Sequence, residues 1–161
     1  MIKIGQYDYP NLINSFLIQD RTSASTAQDR MSYNGTKLFS YNSLLANIDM
    51  NSSILYINKT ISNYSLTSAR QTKILIEKAR PKWIIFSVHP DMKTEQNLVE
   101  YWKEVETLIK KHNRSRINKS YVKAELHKLI KTTQHFAEIH NLDSTIPDHI
   151  MRQLFIYQLL S

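Results

Sequence analysis

Residues 31–41 read MSYNGTKLFSY, and this stretch decides the fold class of the first half of the chain. The Asn34-Gly35 pair suits a type I′ turn, in which both central residues take positive φ angles. Short β-like runs lie on either side of the pair, as they do in a two-stranded hairpin. The stretch therefore predicts a β-hairpin.

Further β-structure is predicted after the hairpin, with strands at residues 44–48 and 54–57. Together with the hairpin they make three or four antiparallel strands that follow one another closely. Before the hairpin, an apolar stripe after a proline predicts a short helix at 11–19, and the small polar residues at 20–29 predict a loop.

A helix is expected next, because Ser65 and Ser68 are both suitable N-cap residues and Pro81 stops the helix near Arg80. The run at 83–88 is β-branched and aromatic, which predicts a buried strand.

The second half of the chain is dominated by helical periodicity. Apolar residues on one face predict a long helix at 94–112, a second at 116–140 and a shorter third that begins near Pro147. The expected buried residues of the second long helix are Tyr121, Val122, Leu126, Leu129, Ile130, Phe136 and Ile139.

The predicted fold class is α+β. A small antiparallel sheet of three to five strands with short helices precedes two long helices and a shorter terminal helix. The length of 161 residues predicts a single domain, 1–161, with a β-rich half at 1–90 and a helical half at 91–161.

The excess of positive over negative charge belongs to one segment of the sequence. The chain has 21 Lys and Arg against 14 Asp and Glu, a net charge of +7. Residues 110–131 contain eight basic residues and one acidic residue, so this segment alone carries +7 and the rest of the chain is balanced. An acidic partner is expected, either nucleic acid or an acidic protein surface.

Several kinds of catalytic site are excluded or disfavoured by composition. The absence of Cys excludes disulfides, thiolate metal sites and Cys nucleophiles, and two glycines are too few for a phosphate-binding loop. His135 and Glu138 are spaced to share a metal ion, but no further motif supports such a site. We therefore predict a protein that is not an enzyme, with no catalytic residue, metal, cofactor or small-molecule substrate.

The predicted partner-binding residues lie where the two long helices meet. They are Lys110, Lys111, Arg114, Arg116, Lys119 and Lys123. The dipole of the first helix accounts in part for the cations at its end, but not for those at the start of the next helix. A solvated basic face without a partner and a surface that contacts phosphates or acidic protein both fit this pattern. Aromatic interleaving is weak, because periodicity assigns Tyr121 to the core.

No membrane partner is expected, because no signal peptide and no apolar run of membrane-spanning length is present. The sequence predicts an intracellular protein. Abundant Ile, Lys and Asn with almost no Gly indicate an AT-rich coding sequence, as in low-GC bacteria or their phages.

Three segments carry a resemblance to a known module. Residues 39–48 (FSYNSLLANI), 55–58 (LYIN) and 64–71 (YSLTSARQ) resemble a small module that is common in phage and mobile-element proteins. In that module a strand pair with a Tyr-Ser-Tyr motif leads to a hydroxyl-rich helix start. Here Phe39 replaces the first Tyr, and the run at Thr67-Ser68 is shorter than usual. The resemblance covers residues 31–80 and brings no catalytic residue with it.

The chain as a whole resembles anti-CRISPR inhibitors of compact type II Cas9 nucleases. The resemblance implies a non-enzymatic inhibitor in the cytoplasm of a bacterial host, where it docks on Cas9 or its guide-RNA complex and blocks cleavage, for instance over the HNH domain. DNA mimicry needs an acidic surface, so a basic chain does not act in that way. The alternative is a nucleic-acid-binding phage accessory protein that uses the basic 110–131 segment.

Overall fold

The chain forms two compact units in the computed structural model, which describes residues 8–161. The first unit ends at Pro90 and the second begins at Asp91, the point where the sequence changes character. The first unit contains helices α1 (Tyr9–Ile18) and α2 (Leu66–Ala79) and a β-sheet. The second contains helices α3 (Thr94–Arg114), α4 (Lys119–Ile139) and α5 (Asp148–Ile156).

The sheet of the first unit has six strands in sequence order, so the prediction of three to five was too low. The strands are β1 (Ser23–Ser25), β2 (Met31–Asn34), β3 (Lys37–Ser40), β4 (Ser43–Asp49), β5 (Ile54–Asn58) and β6 (Ile84–Val88). Neighbouring strands from β1 to β5 are antiparallel, and β6 is parallel to β5. The sheet is therefore mixed. Helix α2 carries the chain back to the end of the sheet at which β5 begins, so β6 runs in the same direction as β5.

Strand β1 lies inside the segment predicted as a loop. Its sequence, Ser-Ala-Ser, has no β-branched or aromatic residue to indicate a strand. Pairing with β2 creates it, since Ala24 lies opposite Tyr33 and Ser25 opposite Ser32. Both Ala24 and Ser25 are buried. Tertiary pairing therefore overrides local propensity here.

The predicted hairpin forms, but its turn is shifted by one residue. Asn34 pairs with Lys37, so the two turn residues are Gly35 and Thr36 instead of Asn34 and Gly35. Of these two turn residues, only Gly35 has a positive φ, +56°. This is the arrangement of a type II′ turn, which requires glycine at its first central position.

The core of the first unit lies between the sheet and the two helices. Ser65 is the N-cap of α2 as predicted, and its Oγ accepts a hydrogen bond from the Ser68 amide at 3.1 Å. Ser68 is the third residue of the helix and not its cap. The largest fully buried side chains of this core include Phe16 and Tyr33, whose rings lie 5.6 Å apart.

The second unit has the predicted two long helices and shorter terminal helix. Its core is formed by Trp102, Val105, Ile109, Leu126, Ile130, Ile150, Leu154 and Leu159. The prediction that Tyr121 is buried was wrong, because 62% of this residue is exposed. Phe155 of α5 is also exposed. Within residues 8–161 no helix is long and apolar enough to span a membrane.

Candidate functional site

The six predicted partner-binding residues lie together around the junction of α3 and α4. We call this set the basic corner, defined as Lys110, Lys111, Arg114, Arg116, Lys119 and Lys123. The first three are in the last turns of α3, Arg116 is in the connection, and the last two are in the first turns of α4. All are exposed except Lys123, which is half-buried.

The geometry of the basic corner is fixed by a short connection, residues 115–118. Ser115 closes α3, since its amide and its Oγ both donate hydrogen bonds to the Lys111 carbonyl, at 3.0 and 2.8 Å. Asn118 then takes a left-handed conformation, φ 61°, and α4 begins at the next residue. Asparagine tolerates this conformation better than most residues, which explains how the chain turns here without a glycine.

The electrostatics of the corner are unfavourable at the start of α4. The N-terminus of α4 carries a partial positive charge, yet its first turn contains Lys119 and no acidic residue. Asn118 provides no side-chain cap. In the part of the chain that the structure describes, none of the six cations forms an ion pair. Ion pairs within the described residues therefore do not offset this concentration of positive charge.

Two exposed apolar side chains lie among the cations. Ile117 is 77% exposed in the connection, and Tyr121 is 62% exposed in the first turn of α4. A hydrogen bond to the Glu125 carboxylate, together with its negative charge, raises the pKa of the Tyr121 hydroxyl. This bond links the ring to the next turn of the helix, so an exposed aromatic ring and a carboxylate lie side by side in the first two turns of α4.

The periodicity of α4 indicates that Tyr121 is exposed. The prediction that Tyr121 lies in the core did not use this signal. The residues four and seven positions later are Glu125 and Lys128, both polar. The buried stripe of α4 begins one position later, at Val122, and continues through Leu126 and Ile130. A residue next to the first position of such a stripe is rotated about 100° away from it.

Within residues 8–161 the fold brings no third ligand to the two residues that could share a metal ion. His135 and Glu138 both lie on α4 and are exposed. Among residues 8–161 no group of three or more His, Cys, Asp and Glu side chains is arranged to hold a metal ion.

The comparisons with known proteins give no relative. No family model matches the chain, and neither a curated protein nor a solved structure matches it. A function for this chain is therefore inferred from the chemistry of its surface.

Proposed function

We propose that this protein is a non-enzymatic binding protein whose basic corner contacts nucleic acid, with single-stranded DNA or RNA as the preferred form. Single-strand binding sites combine cations that follow the phosphates with aromatic side chains on which bases stack. The basic corner has the cations, and Tyr121 provides the aromatic ring.

The exposure of Tyr121 is the observation that carries this proposal. With a buried tyrosine, the corner would offer only positive charge, which an acidic protein surface satisfies as well as a phosphate backbone does. An exposed ring within the first turn of α4 adds a surface for a planar base. Stacking of one base on an aromatic side chain contributes about 1–3 kcal/mol.

We expect Tyr121→Ala to weaken binding of single-stranded DNA by roughly tenfold, because it removes one stacking surface. Tyr121→Phe keeps the ring and loses the hydroxyl, so its affinity is expected to stay within about twofold of the unchanged protein. Fluorescence anisotropy of a labelled oligonucleotide across a salt series measures both the affinity and its salt dependence. Equal affinities for the Ala and Phe variants would show that the ring makes no contact, and absence of any salt-sensitive binding would end the proposal.

A second candidate function, inhibition of a compact Cas9 nuclease, is supported by the resemblance of the chain as a whole to anti-CRISPR inhibitors. In this case the basic corner contacts the guide RNA, bound DNA or an acidic surface of the nuclease complex. The two candidates differ in the state of the nucleic acid, which is free in the first and protein-bound in the second.

The second candidate predicts that excess protein stops target cleavage by a compact Cas9 in vitro and elutes with the guide-loaded nuclease in gel filtration. A variant in which Lys110, Lys111, Arg114 and Arg116 are alanine serves as the matched control and is expected to lose both effects. Unchanged cleavage together with separate elution would rule this candidate out for the nuclease tested.

A further inference from the structure

A pocket of about 660 Å³ lies between the starts of the two helices of the first unit, and this volume is typical of ligand-binding sites. Its wall combines the first residues of α1, the connection between β1 and β2, and the N-terminal part of α2. We call this site the arginine pocket, because Arg30 and Arg70 both line it. The basic corner belongs to the second unit and shares no residue with it.

The two arginines come from distant parts of the chain, and the fold holds them side by side. Arg30 ends the connection between β1 and β2, and Arg70 is in the second turn of α2. The side-chain amide of the buried Gln71 donates a hydrogen bond to the Arg30 carbonyl at 3.2 Å, so the Arg30 backbone lies against α2 beside Arg70. The Tyr41 amide donates to the same carbonyl at 2.8 Å.

The connection that carries Arg30 is held in shape by its own hydrogen bonds. The Thr26 amide donates to the Met31 carbonyl at 2.9 Å, and the Met31 amide donates to the Thr26 Oγ1 at 3.2 Å. Thr26 itself lines the pocket. A wall that is already ordered binds a partner without the cost of ordering it, so the arginine pocket is preformed.

The positive charge of the pocket is not neutralised by the fold. Both arginines are exposed, and neither forms an ion pair with another residue in the range 8–161. Asp8 also lines the pocket, but it is the N-cap of α1, and its Oδ1 accepts a hydrogen bond from the Asn11 amide at 2.9 Å. Two cations in one pocket repel each other, whereas an anionic group between them attracts both. The pocket therefore favours an anionic ligand group.

Apolar side chains lie on either side of Arg70 along α2. Leu66, Arg70 and Ile74 follow one another at intervals of four residues and all line the pocket, so they occupy successive turns about 6 Å apart. Leu66 is 93% exposed, so the core of the unit gains almost nothing from it. The wall along α2 is thus apolar, then cationic, then apolar over about 12 Å.

We propose that the arginine pocket binds an extended segment of a partner protein that carries a carboxylate, with an apolar side chain two residues before it and another two residues after it. Alternate side chains of an extended segment point to the same face at intervals of about 6.6 Å, which matches the spacing along α2. The carboxylate pairs with Arg30 and Arg70, and the apolar side chains contact Leu66 and Ile74. This inference does not depend on the function proposed for the basic corner.

The dimensions and chemistry of the pocket favour this occupant over a helix or a nucleic acid. A helix is about 10–12 Å wide, so a 12 Å length of it fills roughly 1,000 Å³ or more, which exceeds the 660 Å³ of the pocket. A single-stranded nucleic acid requires a row of cations and exposed aromatic rings. The described wall has two cations and a half-buried tyrosine, Tyr9, and its apolar groups on α2 are aliphatic.

A library of random displayed peptides, selected against the full-length protein, provides the probe for this site. The selected peptides are expected to share an Asp or Glu with apolar residues two positions before and after it. Fluorescence anisotropy of a labelled copy of the strongest binder should show roughly thirtyfold weaker binding to Arg70→Glu, because an attraction becomes a repulsion. Arg21→Glu is the matched control, since Arg21 is exposed in the same unit and does not line the pocket.

Two further variants separate direct contact from a change in the fold. Leu66→Ser should weaken binding about tenfold without a change in the thermal midpoint, whereas Ile18→Ser, which alters a residue that is 66% exposed outside the pocket, should leave binding unchanged. A peptide with Lys in place of the shared acidic residue should bind the double variant Arg30→Glu and Arg70→Glu better than it binds the unchanged protein.

Four results would overturn this proposal. They are a selection that yields no binding peptide, selected peptides without the shared acidic residue and its apolar neighbours, equal binding to the unchanged and Arg70→Glu proteins, and displacement of the peptides by single-stranded DNA. The displacement is measured on protein with alanine at Lys110, Lys111, Arg114 and Arg116, so that DNA bound at the basic corner does not affect the result.

Discussion

Simultaneous replacement of Lys110, Lys111, Arg114 and Arg116 with alanine is expected to weaken binding of single-stranded DNA by a hundredfold or more. Each neutralised phosphate releases counterions. The logarithm of the association constant therefore falls linearly with the logarithm of the salt concentration, with a slope of about −0.7 per phosphate contact for single strands. At about 0.1 M salt each contact therefore contributes roughly a factor of five, and four contacts contribute several hundredfold. The slope itself should become shallower by about three.

A control variant with the same change in charge makes this result specific. Arg21, Lys37, Lys73 and Arg80 are exposed cations of the first unit, and their replacement by alanine also removes two Lys and two Arg. We expect this control to lose little affinity, because its charges do not lie at the corner. Equal losses in both variants would mean that net charge, and not the basic corner, determines binding.

The largest expected effect on stability comes from Leu126→Ala in the second unit. Leu126 is fully buried among Trp102, Val105 and Ile109, where α3 and α4 pack together. Removal of a buried leucine side chain loses its transfer free energy and leaves a cavity, which costs about 3 kcal/mol. The free energy of unfolding of a small domain is only about 5–15 kcal/mol, so the variant should unfold at a markedly lower denaturant concentration than the unchanged protein.

Tryptophan fluorescence measures this effect in the relevant unit. The sequence has one tryptophan in each unit, Trp83 and Trp102, so a Trp83→Phe background leaves only the reporter in the second core. Leu160→Ala provides the control, since Leu160 is 53% exposed and its truncation should cost well under about 1 kcal/mol. Similar denaturation midpoints for the two variants would contradict the packing described for α3 and α4.

The helices and the location of the charge are the features that the sequence predicted best. Repeated apolar positions over many turns identify α3 and α4, because a stripe of that length fits no other regular structure. The charge of the corner is a property of a continuous segment, so counting residues is enough to place it. The hairpin was predicted for a related reason, since both of its strands and its turn lie within residues 31–41.

Features that depend on contacts between distant residues could not be predicted in the same way. Strand β1 exists because it pairs with β2, and its Ser-Ala-Ser sequence gives no local signal. The exact turn residues depend on the register of the two strands. In that register Gly35 is the first of the two turn residues, whereas the Asn-Gly pattern predicts it as the second.

The distribution of charge within the second unit has a consequence for the kinetics of association. Residues 110–131 carry +7, whereas the other residues of that unit have 3 basic and 8 acidic side chains, a charge of −5. The positive charge of this unit is therefore concentrated near the junction of α3 and α4, which gives the unit an electric dipole moment. In the field of a polyanion it experiences a torque that turns the positive end forward before contact, which raises the fraction of productive collisions. At higher ionic strength this orientation is screened beyond about 10 Å, and encounters become random in direction.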